Sequence, residues 1–232
     1  MMRVWLIAAN VVREQRWFLL LMFAYVVGIT ALLRTLERND ADALLVFKQE
    51  AVYGTLFSVV LAASLFQNER KTRRIIAVLS KAVTRRKYVA GAILGVNLTT
   101  AVFYAGVAGS LFVLFPGAKP GGAALMMAHA MAASLLVSVV TLFYTAFLHP
   151  LVAASASGLT LGLPLLLEKF FGAGWSGVVP ALRLTRAILA YAPDRAFSSD
   201  AGMITLALAE CVVLWLLASW IFGLRDITTA VE

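Results

Sequence analysis

Long apolar runs, separated by short charged stretches, dominate this chain and decide what it can fold into. Six runs lie at about residues 17–33, 51–67, 89–115, 123–147, 151–167 and 203–223. An apolar helix of about 17–25 residues crosses the roughly 30 Å hydrocarbon core of a bilayer. Charged residues make up only 14% of the chain, against about 25% in soluble domains. The sequence therefore predicts an all-α, polytopic membrane protein with six transmembrane helices in a single domain, residues 1–232.

The N-terminal segment, residues 3–16, has its apolar and polar side chains on different sides of a helix. The apolar side carries Val4, Ile7, Ala8, Val11 and Val12. The other side is largely polar and includes Arg3, Asn10, Arg13 and Glu14. This pattern is typical of a helix that lies along the membrane surface. We therefore expect an N-terminal amphipathic interfacial helix before the first span.

The positive charges are distributed unevenly between the two sides of a six-span chain. Twelve of the 20 Lys and Arg, including eight between Arg70 and Lys87, fall on the side that carries both termini. Cytoplasmic segments of membrane proteins retain Lys and Arg. We therefore expect both termini and the basic stretch in the cytoplasm and residues 168–202 outside, although four basic residues there weaken the bias. Retention of cations also accounts for the net charge of +8 without a nucleic-acid partner.

Residues 69–95 read ERKTRRIIAVLSKAVTRRKYVAGAILG and contain more charge than orientation requires. Between the charged ends, Ile75, Ile76, Leu79 and Val83 recur at helical spacing, which predicts an amphipathic helix. Such a helix can bind in the groove of a partner protein or lie on the membrane surface. A simple orientation signal remains a third interpretation.

The same stretch resembles a motif that follows the second span in transmembrane subunits of ABC exporters of the type-2 permease family. The motif has the form E-x-x-x-G-T-(apolar)-x-x-L-L-S-x-P-V-S-R, followed by Gly-Lys. The matching residues are Glu69, Ile75, Leu79, Ser80, Val83-Thr84-Arg85 and Gly91. The departures are Arg73-Arg74 for Gly-Thr, Ala82 for proline and Ala92 for lysine. The tail Ile221–Asp226 also resembles the family's (apolar)-F-x-x-R-D, and the order of segments agrees along nearly the whole chain.

The resemblance implies a partner and a site. In that family the loop, here residues 69–88, contains a cytoplasmic coupling helix that binds a separate ATPase subunit, expected in two copies. The residues implied at this interface are Glu69, Ile75, Ile76, Leu79, Ser80, Val83 and Arg85. The family also pairs two permease subunits, identical or related, through the first and fifth spans, in the bacterial inner (cytoplasmic) membrane. Gly158 and Gly162 in the fifth span then become candidates for dimer contacts, although packing within one subunit is an alternative.

The chain lacks the sequence features of the main catalytic alternatives. It has no G-x-x-x-x-G-K-[ST] phosphate-binding loop, so we expect ATP and Mg²⁺ to be bound by the partner subunit and no cofactor by this chain. Ser155-Ala156-Ser157-Gly158 is similar to the serine loop of rhomboid proteases, but its leading glycine is missing and no histidine follows it. Two histidines are too few for a metal site with supporting residues. We expect neither catalysis nor a metal site in this chain.

Glu210 stands about one third of the way along the sixth span. A carboxylate at that depth is costly unless it faces water or a partner. It is a candidate contact on a translocation path, or a structural partner of Arg183, Arg186 or Asn97.

These observations favour the permease subunit of an ATP-driven ABC exporter, whose substrate the sequence does not identify. One alternative is a secondary carrier driven by an ion gradient, but such carriers usually show paired half-repeats, and the two halves here share no evident repeat. Another alternative is a membrane anchor for a soluble partner.

Overall fold

The computed structural model describes residues 2–35, 39–71, 84–171, 179–195 and 197–224. Eight α-helices and no strands occur in these ranges. In chain order the helices are α1 (Met2–Glu14), α2 (Arg16–Thr35), α3 (Asp40–Lys71), α4 (Arg85–Leu114), α5 (Pro120–Thr145), α6 (Pro150–Phe171), α7 (Pro180–Leu189) and α8 (Ala201–Leu224).

Six of these helices are long and apolar enough to cross a membrane. They are α2, residues 40–65 of α3, α4, α5, residues 150–170 of α6 and residues 201–222 of α8. The predicted fold class, an all-α protein with six membrane-spanning helices, is therefore confirmed.

The second span is longer than the sequence predicted, because α3 begins at Asp40 rather than near residue 51. The Asn39 side chain accepts a hydrogen bond from the Ala41 amide at 3.4 Å, and its carbonyl accepts one from Asp42 at 3.0 Å. Asp40 and Asp42 lie in the first turn, where acidic side chains interact favourably with the helix dipole. Residues 40–50, which lie between the first two apolar runs of the sequence, thus form the start of a helix, and Phe47 on its buried side is fully covered.

Helix α5 forms the centre of the bundle and packs against α3, α4, α6, α7 and α8. Within its apolar window 67% of the residues are buried, compared with 22% in α2, 12% in α6 and 17% in α8. Small side chains let neighbouring helices approach α5 closely; those that are buried on it include Ala130, Ala133, Ser134 and Ser138.

A hydrogen-bonded group of side chains joins α3, α4 and α5 inside this apolar centre. The Tyr104 hydroxyl lies 2.8 Å from Ser134 Oγ and donates to the Ala51 carbonyl at 3.1 Å. Gly54 makes room for this ring, since a Cβ there would lie 2.5 Å from Tyr104 Cζ. A buried hydroxyl without a partner is costly, so these contacts favour one register between the three helices.

Helices α1 and α2 run parallel to α4 and pack against it. A Cβ on Gly91 would lie 2.8 Å from Ile7 Cβ and one on Gly95 2.6 Å from Val11 Cβ, and one on Gly106 would overlap the ring of Phe23. The small-residue pattern Gly91-x-x-x-Gly95 is therefore a packing surface for α1. The apolar residues of α1 that it contacts face α4, and the placement of residues 3–16 along a membrane surface stays a prediction.

The bundle has two ends, which we name by their residues. At the basic end, α3 ends at Lys71, α4 begins at Arg85 and α8 ends at Leu224. At the far end, α2 ends at Thr35, α3 begins at Asp40 and residues 190–200 connect α7 to α8.

Asp200 contacts residues of three helices at the far end. Its carboxylate lies 2.6 Å from Arg183 Nε and accepts the Met203 amide at 3.3 Å, while its own amide donates to His129 Nε2 at 3.2 Å. The edge-to-face contact of His129 with Phe197, 4.8 Å between ring centroids, completes this arrangement. The far end of α8 is thereby attached to α5 and α7, and His129 has a structural role.

Candidate functional site

Most of the predicted coupling-helix residues fall outside the part of the chain that the structure describes. These are Ile75, Ile76, Leu79, Ser80 and Val83. Glu69 belongs to the last turn of α3, and Arg85 is the first residue of α4. The structure therefore describes the helices on both sides of residues 72–83, and the amphipathic helix expected there stays a prediction.

The start of α4 is attached to the end of α8. Arg85 Nη1 donates to the Phe222 carbonyl oxygen at 2.9 Å, and the ring of Tyr88 stacks on that of Phe222 with 5.9 Å between centroids and 14° between planes. Trp215 Nε1 reaches the Arg86 carbonyl oxygen at 3.4 Å. Displacement of the chain at Arg85 would therefore act on two spans that are distant in sequence. The resemblance to the family motif assigned Arg85 to the partner interface. Its contact with α8 was not predicted.

Gly158 and Gly162 lie on an open side of α6. A Cβ at either position would meet no atom of the described chain within 4 Å. The close packing within one subunit that the sequence allowed is thus not formed by the described residues. The pattern is available to lipid or to a second chain.

Glu210 lines a cavity of about 710 Å³ between α5, α6, α7 and α8. Its side chain is half-buried, and within the described residues it makes no hydrogen bond or ion pair. Two hydroxyls share the cavity, Tyr144 and Thr160, 2.7 Å apart. The remaining lining is apolar and includes Leu136, Phe143, Leu206, Val213 and Leu214.

The structural partners considered for Glu210 are engaged elsewhere. Arg183 pairs with Asp200 at 2.6 Å, and Arg186 pairs with Glu168 at 3.1 Å. Asn97 Nδ2 donates to the Ile93 carbonyl at 2.8 Å and lies 3.4 Å from Ser138 Oγ. Glu210 is therefore a carboxyl group in an apolar cavity without any of these partners.

Sequence reasoning missed a second carboxyl group, Glu50. It was assigned to the connection between the first two spans, but α3 carries it inside the bundle, where 1% of its surface is exposed. Glu50 Oε2 accepts from Ser110 Oγ at 3.2 Å, and Oε1 has no hydrogen-bond partner within the described residues. The helical spacing of Ala43, Phe47 and Glu50 could have indicated that these residues share a buried side.

The described residues contain no group of three or more His, Cys, Asp or Glu side chains that could hold a metal ion.

Comparisons of the whole chain with models of protein families and with curated proteins find no match. The residues themselves therefore carry the functional argument.

Proposed function

We propose that this chain is the permease subunit of an ATP-driven ABC exporter in a bacterial cytoplasmic membrane. It would form the translocation path and couple to a separate ATPase subunit that binds ATP and Mg²⁺. Two observations support the proposal together: the resemblance of residues 69–95 to the coupling-helix motif and the presence of six apolar helices of spanning length.

The attachment of the helices on both sides of residues 72–83 carries the proposal. α3 has 32 residues and α4 has 30, which gives lengths of about 48 and 45 Å. Both exceed the roughly 30 Å hydrocarbon core, so each would extend beyond it. The first turn of α4 contacts the end of α8 through Arg85 and Tyr88.

This arrangement suits a mechanical role for the loop. A partner that moves residues 72–83 would displace α3 and α4, which pack against each other, and α8 through Phe222. An orientation signal needs only charge and has no need of such attachments. A coupling element needs them, because closely packed interiors transmit displacement.

A second permease chain is part of the proposal. The apolar windows of α2 and α6 are 22% and 12% buried, so most of their surface is available to lipid or another subunit. Gly158 and Gly162 lie on the uncovered side of α6 and would allow close approach of a second helix. A pair of chains joined through α2 and α6 would enclose a path between them.

The alternative of an ion-gradient carrier draws on one observation, the buried Glu50. Carboxyl groups within the membrane often belong to ion or proton pathways. Purified chain reconstituted alone in liposomes would then accumulate substrate in response to an ion gradient. The proposed exporter would show no such uptake without its ATPase subunit.

One substitution separates a coupling helix from an orientation signal. Leu79→Asp retains all eight positive charges between Arg70 and Lys87, so membrane orientation is expected to hold. Placing an unpaired carboxylate in a partner's groove costs several kcal/mol, enough to weaken severely a micromolar complex held by about 8 kcal/mol. The ATPase subunit is therefore expected to be lost on co-purification.

The matched control is Lys71→Ser at the end of α3. A charge at the rim of an interface contributes little, so this variant is expected to retain the ATPase subunit and transport. Insertion of both variants is measured separately by protease accessibility. Normal assembly and transport of the Leu79→Asp variant would contradict the coupling assignment and leave the orientation signal.

A further inference from the structure

The cavity that contains Glu210 has a chemical character that selects its ligand. Glu210 is the only charged residue among the described residues that line it, and most of the others are apolar. Its size of about 710 Å³ is within the range of small-molecule sites, roughly 300–1,000 Å³. An occupant would need a large apolar body and a group that satisfies a carboxylate.

A proline in α6 removes one backbone hydrogen bond beside the cavity. Pro164 lies inside α6 and has no N–H to donate to the carbonyl of Thr160, four residues earlier. Thr160 lines the cavity, where its hydroxyl pairs with that of Tyr144 and donates to the Ala156 carbonyl at 2.8 Å.

The two arginines of α7 pair with other carboxylates and not with Glu210. Arg183 and Arg186 belong to α7, next to the cavity residue Pro180, but their guanidinium groups are paired with Asp200 and Glu168. A carboxyl group removed from water either takes up a proton or pairs with a positive charge. A ligand that carries positive charge would supply that partner.

We propose that this cavity binds lipophilic organic cations and that such cations are the substrate class of the exporter. The assignment of these cations as exported substrates rests on the proposed function. The binding site itself requires only this chain. The charge of the ligand would pair with Glu210, and its apolar body would occupy the surface formed by Leu136, Phe143, Val213 and Leu214.

The test measures saturable binding of tetraphenylphosphonium to the purified chain in an uncharged detergent, without any ATPase subunit. Tetraphenylborate, of the same shape and opposite charge, is the matched ligand. We expect Glu210→Gln to weaken tetraphenylphosphonium binding roughly tenfold, which corresponds to about 1.4 kcal/mol, because the variant loses the charge that pairs with the ligand. Glu210→Asp should retain most of the affinity, and tetraphenylborate should bind no less well to the Gln variant.

Glu50→Gln is the control, since it removes a carboxyl group from another place in the membrane-spanning bundle and is expected to leave the affinity unchanged. Absence of saturable tetraphenylphosphonium binding, or equal affinity in the Glu210→Gln variant, would overturn the proposal. So would displacement of the cation by short-chain phosphatidylethanolamine at equal concentration, which would assign the site to a lipid headgroup. If the cation binds as expected but no ATPase subunit associates with the chain, the site stands and the exporter function fails. If an ATPase subunit associates with the chain but the cation does not bind as expected, only the proposed substrate class is rejected.

Discussion

Arg85 Nη1 donates a hydrogen bond to the backbone carbonyl oxygen of Phe222, 2.9 Å away. This contact joins the first residue of α4 to the last turn of α8. A helix end leaves carbonyl groups without intrahelical partners, and a guanidinium is a strong donor to them because it carries charge. The first residue of α4 thus serves as a cap for α8.

We predict that Arg85→Ala destabilises the purified protein by about 1–2 kcal/mol, since hydrogen bonds to charged groups contribute about 1.5–3 kcal/mol and partial exposure reduces this. The measurement is thermal unfolding in detergent. Arg86→Ala is the control, because that side chain is exposed. Equal stability of the two variants would show that the contact with Phe222 contributes nothing measurable.

The contact of α1 with α4 gives a second prediction. Gly95→Ala places a methyl group 2.6 Å from Val11 Cβ and 3.1 Å from the Ala8 carbonyl oxygen. Overpacking of this kind costs about 1–3 kcal/mol, partly offset by the better helix propensity of Ala, about 1 kcal/mol. We expect α1 to become more sensitive to limited proteolysis.

The control for that experiment is Gly28→Ala in α2, where a Cβ would meet no atom of the described chain within 4 Å. Only the propensity gain applies there, so the variant should be as stable as the parent or slightly more stable. If Gly95→Ala behaved like Gly28→Ala, the close packing of α1 on α4 would be refuted.

Pairing of two chains through α6 can be tested by cross-linking. The chain has one cysteine, Cys211, so Cys211→Ser provides a background without thiols. In it, Gly158→Cys is expected to form disulfide-linked dimers in native membranes, because a second α6 would approach that side closely. Gly109→Cys, equally open but on α4, should remain monomeric. Efficient cross-linking at position 109 with none at 158 would move the interface away from α6.

The orientation of the chain is open to cysteine labelling in the same background. Single cysteines at positions 40 and 190 are expected to react with an impermeant reagent from outside, and those at positions 72 and 228 only from the cytoplasm. The reason is the excess of Lys and Arg on the side of the termini. Cytoplasmic labelling of position 190 would contradict the predicted topology.

Apolar run length by itself determined that this chain spans a membrane six times. Each spanning helix satisfies its own backbone hydrogen bonds, so in lipid its existence depends on local composition more than on neighbours. Run length did not predict the start of α3 correctly. Asp40 and Asp42 are typical of loops in a membrane chain, but they also stabilise a helix N-terminus.

Only the tertiary structure decided which side of each helix is covered. Gly91-x-x-x-Gly95 and Gly158-x-x-x-Gly162 have the same spacing, yet the first packs on α1 and the second faces no described part of the chain. Likewise, Glu50 and Glu210 both lie in spans, but one is enclosed beside Ser110 and the other lines a cavity. A sequence records the period of a pattern, whereas the partner of a helix side depends on contacts between residues far apart in the chain.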